Sequence, residues 1–146
     1  MDPTVVAHGI QLAVAPVFLL TAVAALIGSF ATRLARIIDR ARLLEEKLDA
    51  QTVRNIRSAH WELKRLKLRG RIVSLSMVLL TLCSMFIGVT IMALFLGETT
   101  QLQIQRLVPL SFIAGVIFFL LALTGFLAET LLAMHVLRFG RNLKAD

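Results

Sequence analysis

The chain has 146 residues, 58% hydrophobic and 17% charged, with a formal net charge of +7. A mean hydropathy of +0.81 and three charge-free runs of more than twenty residues exclude a water-soluble bundle, whose helices need a polar face. The length suits one membrane domain over residues 1–146, an all-α integral membrane protein with no second domain.

The first charge-free run is Gly9 to Thr32. A spanning helix needs roughly 20 predominantly apolar residues at about 1.5 Å rise each, and this run is long enough. A secretory signal has a basic leader and a shorter apolar core. Here Met1 to His8 carries only Asp2, and the positive charge follows the run. The segment therefore reads as a retained anchor with its N-terminus translocated. Pro16 lacks a backbone donor and is expected to kink the helix near Leu12. Thr21, Ala25, Gly28, Thr32 and Ala35 form a stripe of small residues. Small residues let membrane helices approach closely, so this stripe is expected to face protein.

From Arg33 to Arg71 the chain turns basic, holding twelve of its sixteen Lys and Arg. Cytoplasmic loops collect these residues. The rule places this segment and the C-terminus (Arg138, Arg141, Lys144) in the cytoplasm, with the N-terminus and the Glu98 to Arg106 loop outside. Leu34, Ile37, Ala41, Leu44 and Leu48 follow the alternating spacing of a coiled-coil seam. The phase breaks across Asp49 to Thr52 and resumes as Ile56, Ala59, Leu63 and Leu66. The first two spans are thus expected to extend into a cytoplasmic antiparallel helical hairpin over residues 33–71, with Thr52 or Asp49 capping the second arm. Glu45, Glu46 and Asp49 would then meet Arg54 and Arg57 near the turn. The rival reading lays the segment flat on the inner leaflet, with Lys64, Arg65, Lys67, Arg69 and Arg71 against anionic headgroups. Trp61, beside that run, would cover the hairpin or anchor at a membrane or partner.

The second span is Ile72 to Gly97. Its stripe of Ser74, Thr81, Ser84 and Gly88 suits helix packing or a pore lining. Cys83, the one cysteine, reads as a small packing residue. The third span is Leu107 to Ala128, with Pro109 in its first turn, where proline is tolerated. Gly115, Ala122, Gly125 and Glu129 share one face. Glu129 lies roughly 33 Å along this helix, at the inner interface, where ionisable groups find partners. Pairing with Arg33 or Arg36 would fix the third span against the first. A proton-coupling or gating carboxylate is the sharper alternative.

The stretch Thr32-Arg33-Leu34-Ala35-Arg36-Ile37-Ile38-Asp39-Arg40-Ala41-Arg42-Leu43-Leu44, with the upstream Ala15-Pro16-Val17-Phe18-Leu19, resembles small bacterial membrane proteins grouped as domain of unknown function twenty-seven twenty-one. The resemblance covers nearly the whole chain and is most specific at Arg36, Ile37, Ile38, Asp39, Arg40 and Arg42. It implies a bacterial inner membrane and marks this region as the functional core, and it brings no activity with it. Arg33, Arg36, Asp39, Arg40, Arg42 and Glu129 together read as a junction ion network, Asp39 reaching Arg36 or Arg42 at three residues' separation. Such a network either holds the junction together or lines a site for anionic lipid heads or an ion vestibule.

His8, His60 and His135 are scattered, and no metalloprotease, paired-cysteine, phosphate-loop or nucleophile-elbow motif occurs. No catalysis, cofactor or metal site is expected, and topology accounts for the basic charge without nucleic acid. The expected function is a homo-oligomeric membrane assembly or scaffold, its hairpin engaging anionic inner-leaflet lipid heads, another copy or a cytoplasmic protein. The alternative is a homo-oligomeric ion channel, which needs a ring of subunits because three helices enclose no wide pore.

Overall fold

The computed structural model describes residues 3–52, 55–100 and 106–139, with side chains over 10–52, 55–97 and 106–134. The described residues form three helices and no strand: α1 (Pro3–Asp49), α2 (Ile56–Thr100) and α3 (Leu107–Phe139). At 47, 45 and 33 residues, each exceeds the roughly 20 residues a bilayer requires. By length and composition each can cross a membrane, within Ile10–Asp49, Ile56–Gly97 and Leu107–Met134. Helix α1 continues through Pro16, and α2 runs past Gly97, where the sequence suggested its end.

The break expected at Asp49 to Thr52 is a Schellman turn. The Thr52 amide donates to the Lys47 carbonyl at 3.2 Å and the Gln51 amide to Leu48 at 3.1 Å. Gln51 takes φ 51°, the left-handed position usually given to glycine, where a β-carbon costs about 1 kcal/mol. Thr52 Oγ1 also donates to the Lys47 carbonyl at 3.3 Å, so Thr52 closes α1 rather than capping α2. The cap of α2 is Asn55. Its Oδ1 accepts from the Ser58 amide at 3.4 Å, and its carbonyl accepts from Ser58 Oγ at 2.9 Å. Asparagine suits that place because its short side chain reaches an amide that no helical carbonyl serves.

Contacts cluster into two compact units, Met1–Gly28 with Val78–Ala122, and Ser29–Met77 with Leu123–Asp146. In the first, Val23, Leu80, Cys83, Ile87 and Ala122 are fully enclosed. Gly115 of α3 sits against α2, where a β-carbon would come within 2.9 Å of Ile87 Cδ1 and 3.5 Å of the Cys83 carbonyl. Phe86 and Phe118 stack with centroids 5.4 Å apart. The buried Thr90 and Ser111 hydroxyls lie 2.8 Å apart. Each is also 2.8 Å from a carbonyl of its own helix, Phe86 and Leu107 respectively. Each hydroxyl has one proton, so one crosses between the helices and the other returns to a carbonyl. Both groups are thereby satisfied where lipid offers no partner.

In the second unit Phe30, Val73, Ser76 and Glu129 are fully enclosed, with Ile37, Ala59 and Leu66 nearly so. A β-carbon on Gly70 would touch Ile37 and Leu34 at 3.6 and 3.9 Å, and one on Gly125 would come within 2.6 Å of Ser76 Oγ. Arg40 Nη2 and Nε donate to Glu62 Oε1 at 2.6 and 3.0 Å, and Lys67 Nζ meets Glu45 at 2.9 Å. Exposed pairs contribute about 0.2–1 kcal/mol each, so they select a register that the apolar seam stabilises. Among the described residues Arg57 makes no ion pair, and Arg54 lies outside them. Glu45 turns to Lys67 because helical side chains lean toward their own N-terminus, which on α1 is away from the turn.

Gly125→Ala is expected to destabilise by about 1–3 kcal/mol through overpacking, and a second change, Ser76→Ala, to recover most of that loss. Unfolding of single and double variants in detergent measures the coupling; equal losses with and without Ser76 would contradict the contact. Gln51→Gly should raise stability by about 0.5–1 kcal/mol in the same assay.

Candidate functional site

The second unit contains a buried carboxylate. Glu129 follows Gly115 and Ala122 at seven-residue intervals on α3, and its side chain is only 1% exposed. An isolated ion at such a place costs several kcal/mol. Two guanidinium groups meet it. Arg69 of α2 donates from Nε and Nη2 to Oε1 at 3.0 and 2.7 Å. Arg33 of α1 donates from Nη1 to Oε2 at 3.2 Å.

Aromatic packing orients Arg33. Its Cζ lies 4.6 Å above the Phe126 ring, a favourable place for a cation. Phe126 stacks on the enclosed Phe30 at 4.3 Å and 17°. Arg33 Nη1 also reaches Thr130 Oγ1 at 3.4 Å, while Thr130 donates its own hydroxyl to the Phe126 carbonyl at 3.0 Å. No buried side-chain nitrogen or oxygen among the described residues lacks a partner.

Two cations share one anion, leaving a net charge of +1. That excess faces outward, since the Arg33 and Arg69 side chains are 45% and 28% exposed. Both carboxylate oxygens accept from guanidinium groups, the geometry of an anchor joining three helices.

Residues 13–139 match the family described as Protein of unknown function (DUF2721). The chain belongs to this family. The match takes in most of all three helices and includes both Arg33 and Glu129. No match was found among curated proteins or among solved structures.

Of the expected junction network in this DUF2721 chain, the structure brings together Arg33 and Glu129. Arg40 pairs with Glu62 instead. Arg36, Asp39 and Arg42 are exposed and form no ion pair among the described residues; solvated pairs at three-residue spacing contribute only a few tenths of a kcal/mol. Arg69 was expected in the basic run of Lys64, Arg65, Lys67 and Arg71, not at Glu129. Its signal lies in spacing, because Arg69 precedes the buried Ser76, Cys83 and Thr90 at seven-residue intervals.

The seam residues Ile37, Ala59 and Leu66 are buried, and Leu34, Ala41, Leu44, Leu48 and Leu63 are half-buried. Ile56 is exposed as the first residue of α2. On α3, Gly115 and Ala122 are buried and Gly125 half-buried. The other two stripes face outward on the single chain. Thr21, Ala25, Gly28, Thr32 and Ala35 are exposed, as are Ser74, Thr81 and Gly88. Ser84 is half-buried and donates to the Leu80 carbonyl at 3.1 Å. The enclosed sets run instead through Pro16, Val23, Phe30 and Ile37, and through Val73, Leu80 and Ile87. These have the same interval, displaced by two residues and by one. Lipid is as apolar as leucine, so side-chain shape selects the inner phase.

His60 Nδ1 lies 3.0 Å from the Ile56 carbonyl; the His8 and His135 side chains lie outside the described residues. Among those described, no three His, Cys, Asp or Glu residues gather as metal ligands.

Glu129→Ala should cost about 3–5 kcal/mol at most, reduced to the extent that the partly exposed arginines turn to water. Arg69→Ala should destabilise more than Arg33→Ala, since Arg69 supplies the two shorter bonds. Thermal unfolding in detergent ranks the three, and an unchanged melting temperature for Arg69→Ala would refute the anchor.

Proposed function

We propose that this chain is a homo-oligomeric assembly or scaffold protein of the bacterial inner membrane, working without catalysis. The N-terminus lies outside and the C-terminus in the cytoplasm, because the basic stretch from Arg33 to Arg71 marks the cytoplasmic side. There the ends of α1 and α2 form an antiparallel hairpin. Support comes from Gly70 against Leu34 and Ile37 and from the pairs Arg40–Glu62 and Lys67–Glu45. The hairpin engages anionic headgroups, another copy or a cytoplasmic protein.

The observation carrying the assembly reading is the outward face of α1. Thr21, Ala25, Gly28, Thr32 and Ala35 are exposed on the single chain, and a β-carbon at Gly28 would meet nothing within 4 Å. Large apolar residues serve equally well against lipid, whereas small ones gain from close helix approach. A second copy is the occupant this face suits. The outward Ser74 and Thr81 on α2 favour a second reading, a ring whose axial path conducts ions.

Gly28→Leu should leave the chain folded, because the space is open, while blocking close approach at this face. Native mass spectrometry from mild detergent or nanodiscs is expected to show multimers for the parent chain and monomers for the variant. A monomeric parent would overturn the reading. Four or more subunits together with ion flux in reconstituted liposomes would favour the channel.

A further inference from the structure

We infer that the face of α2 bearing Trp61, Lys64, Arg65, Leu68 and Arg71 binds the headgroup of an anionic phospholipid carrying two phosphates. This rests on the proposed placement of residues 33–71 at the cytoplasmic side of the membrane. The five residues recur at intervals of three and four, so they share one helix face. With Lys67 they line a trough of about 430 Å³.

The charges on this face are sorted. Lys67 is matched by Glu45. Glu62, the nearest acid in sequence, is drawn away by both Arg40 nitrogens. Lys64, Arg65 and Arg71 have no carboxylate partner among the described residues, which leaves three positive charges. A headgroup with one phosphate offsets one of them, and two phosphates offset two.

Apolar surface lies among these cations. Trp61 is 63% and Leu68 53% exposed, and the Arg65 guanidinium sits 4.5 Å over the indole ring, holding both side chains in place. Arg71 immediately precedes Ile72, where the charge-free run begins. Leu68 lies about 6 Å and Trp61 about 16 Å along the helix from Ile72, so tilting this face onto the inner leaflet sets cations and apolar side chains together against a lipid, which presents phosphate and glycerol together. A soluble phosphate would leave Trp61 and Leu68 uncovered.

Trp61 is the only tryptophan and reports on its own site. The full chain, in phosphatidylcholine nanodiscs, is titrated with cardiolipin or phosphatidylglycerol carrying a quencher near the headgroup, at matched total charge. Cardiolipin is expected to quench Trp61 at lower concentration. Lys64→Gln and Arg71→Gln should each raise half-saturation about fivefold, while Lys47→Gln leaves it unchanged. Equal quenching by the two lipids, or none with the parent chain, would overturn the inference without any variant. So would an equal response to pyrophosphate in detergent free of anionic lipid. Iodide quenching in sealed vesicles of known orientation reads the placement of Trp61 separately, so a wrong topology and an absent lipid site give different results.

Discussion

A buried carboxylate in an apolar environment must be neutralised, and in this chain three helices meet to do it. Glu129 has almost no contact with solvent, and its oxygens are divided between Arg69 and Arg33. The division is unequal. Arg69 directs two donors at one oxygen, whereas Arg33 gives a single longer bond and lays its face on Phe126. Burying an ion pair stabilises little in net terms, yet removing one partner is costly. The physical consequence is register: turning α3 by one residue, about 100°, would take Glu129 from both arginines and leave three charges uncompensated.

Around that constraint, α2 and α3 approach through small residues rather than through hydrophobic drive. In one unit Gly115 admits Ile87, and in the other Gly125 admits the Ser76 hydroxyl. A membrane helix gains no free energy by moving leucine from lipid to protein, so association depends on contact and on satisfied polar groups. The Thr90–Ser111 bridge is an instance of the second. Its hydroxyls have carbonyl partners within their own helices as well, so separating α2 from α3 would cost less than stranding two bare donors.

The three spans were legible in the sequence because length and absence of charge are signals that tertiary context cannot override. The α1 seam through Leu34, Ile37, Leu44 and Leu48 was legible for a related reason, since charged neighbours set it off. Glu129 and Arg33 stood out as ionisable groups at the same interface. The phase of the spans themselves was not legible. With every side chain apolar or small, the run through Thr21, Gly28 and Ala35 has the same period as the run through Val23, Phe30 and Ile37. Only the partner surface, Phe126 stacked on Phe30, separates them. Arg69 was hidden differently: five cations within eight residues look like one solvated face until the interval to Ser76 is counted. The Asn55 cap and the strained Gln51 depend on turn geometry, which local composition does not specify.

The cations between Arg33 and Arg71 show why net charge alone is a weak guide to role. If orientation in the membrane were their one task, any solvated arrangement would serve, because the positive-inside preference counts charges and ignores helix face. Seven of the twelve are instead distinguished by what they meet. Arg33 and Arg69 turn inward to Glu129, Arg40 and Lys67 reach across to carboxylates on the neighbouring helix, and Lys64, Arg65 and Arg71 share one trough. Glu62, the acid nearest this last group in sequence, is held by Arg40. A salt bridge of little worth for stability therefore has an electrostatic effect, keeping a carboxylate away from a basic face whose positive charge it would otherwise offset in part.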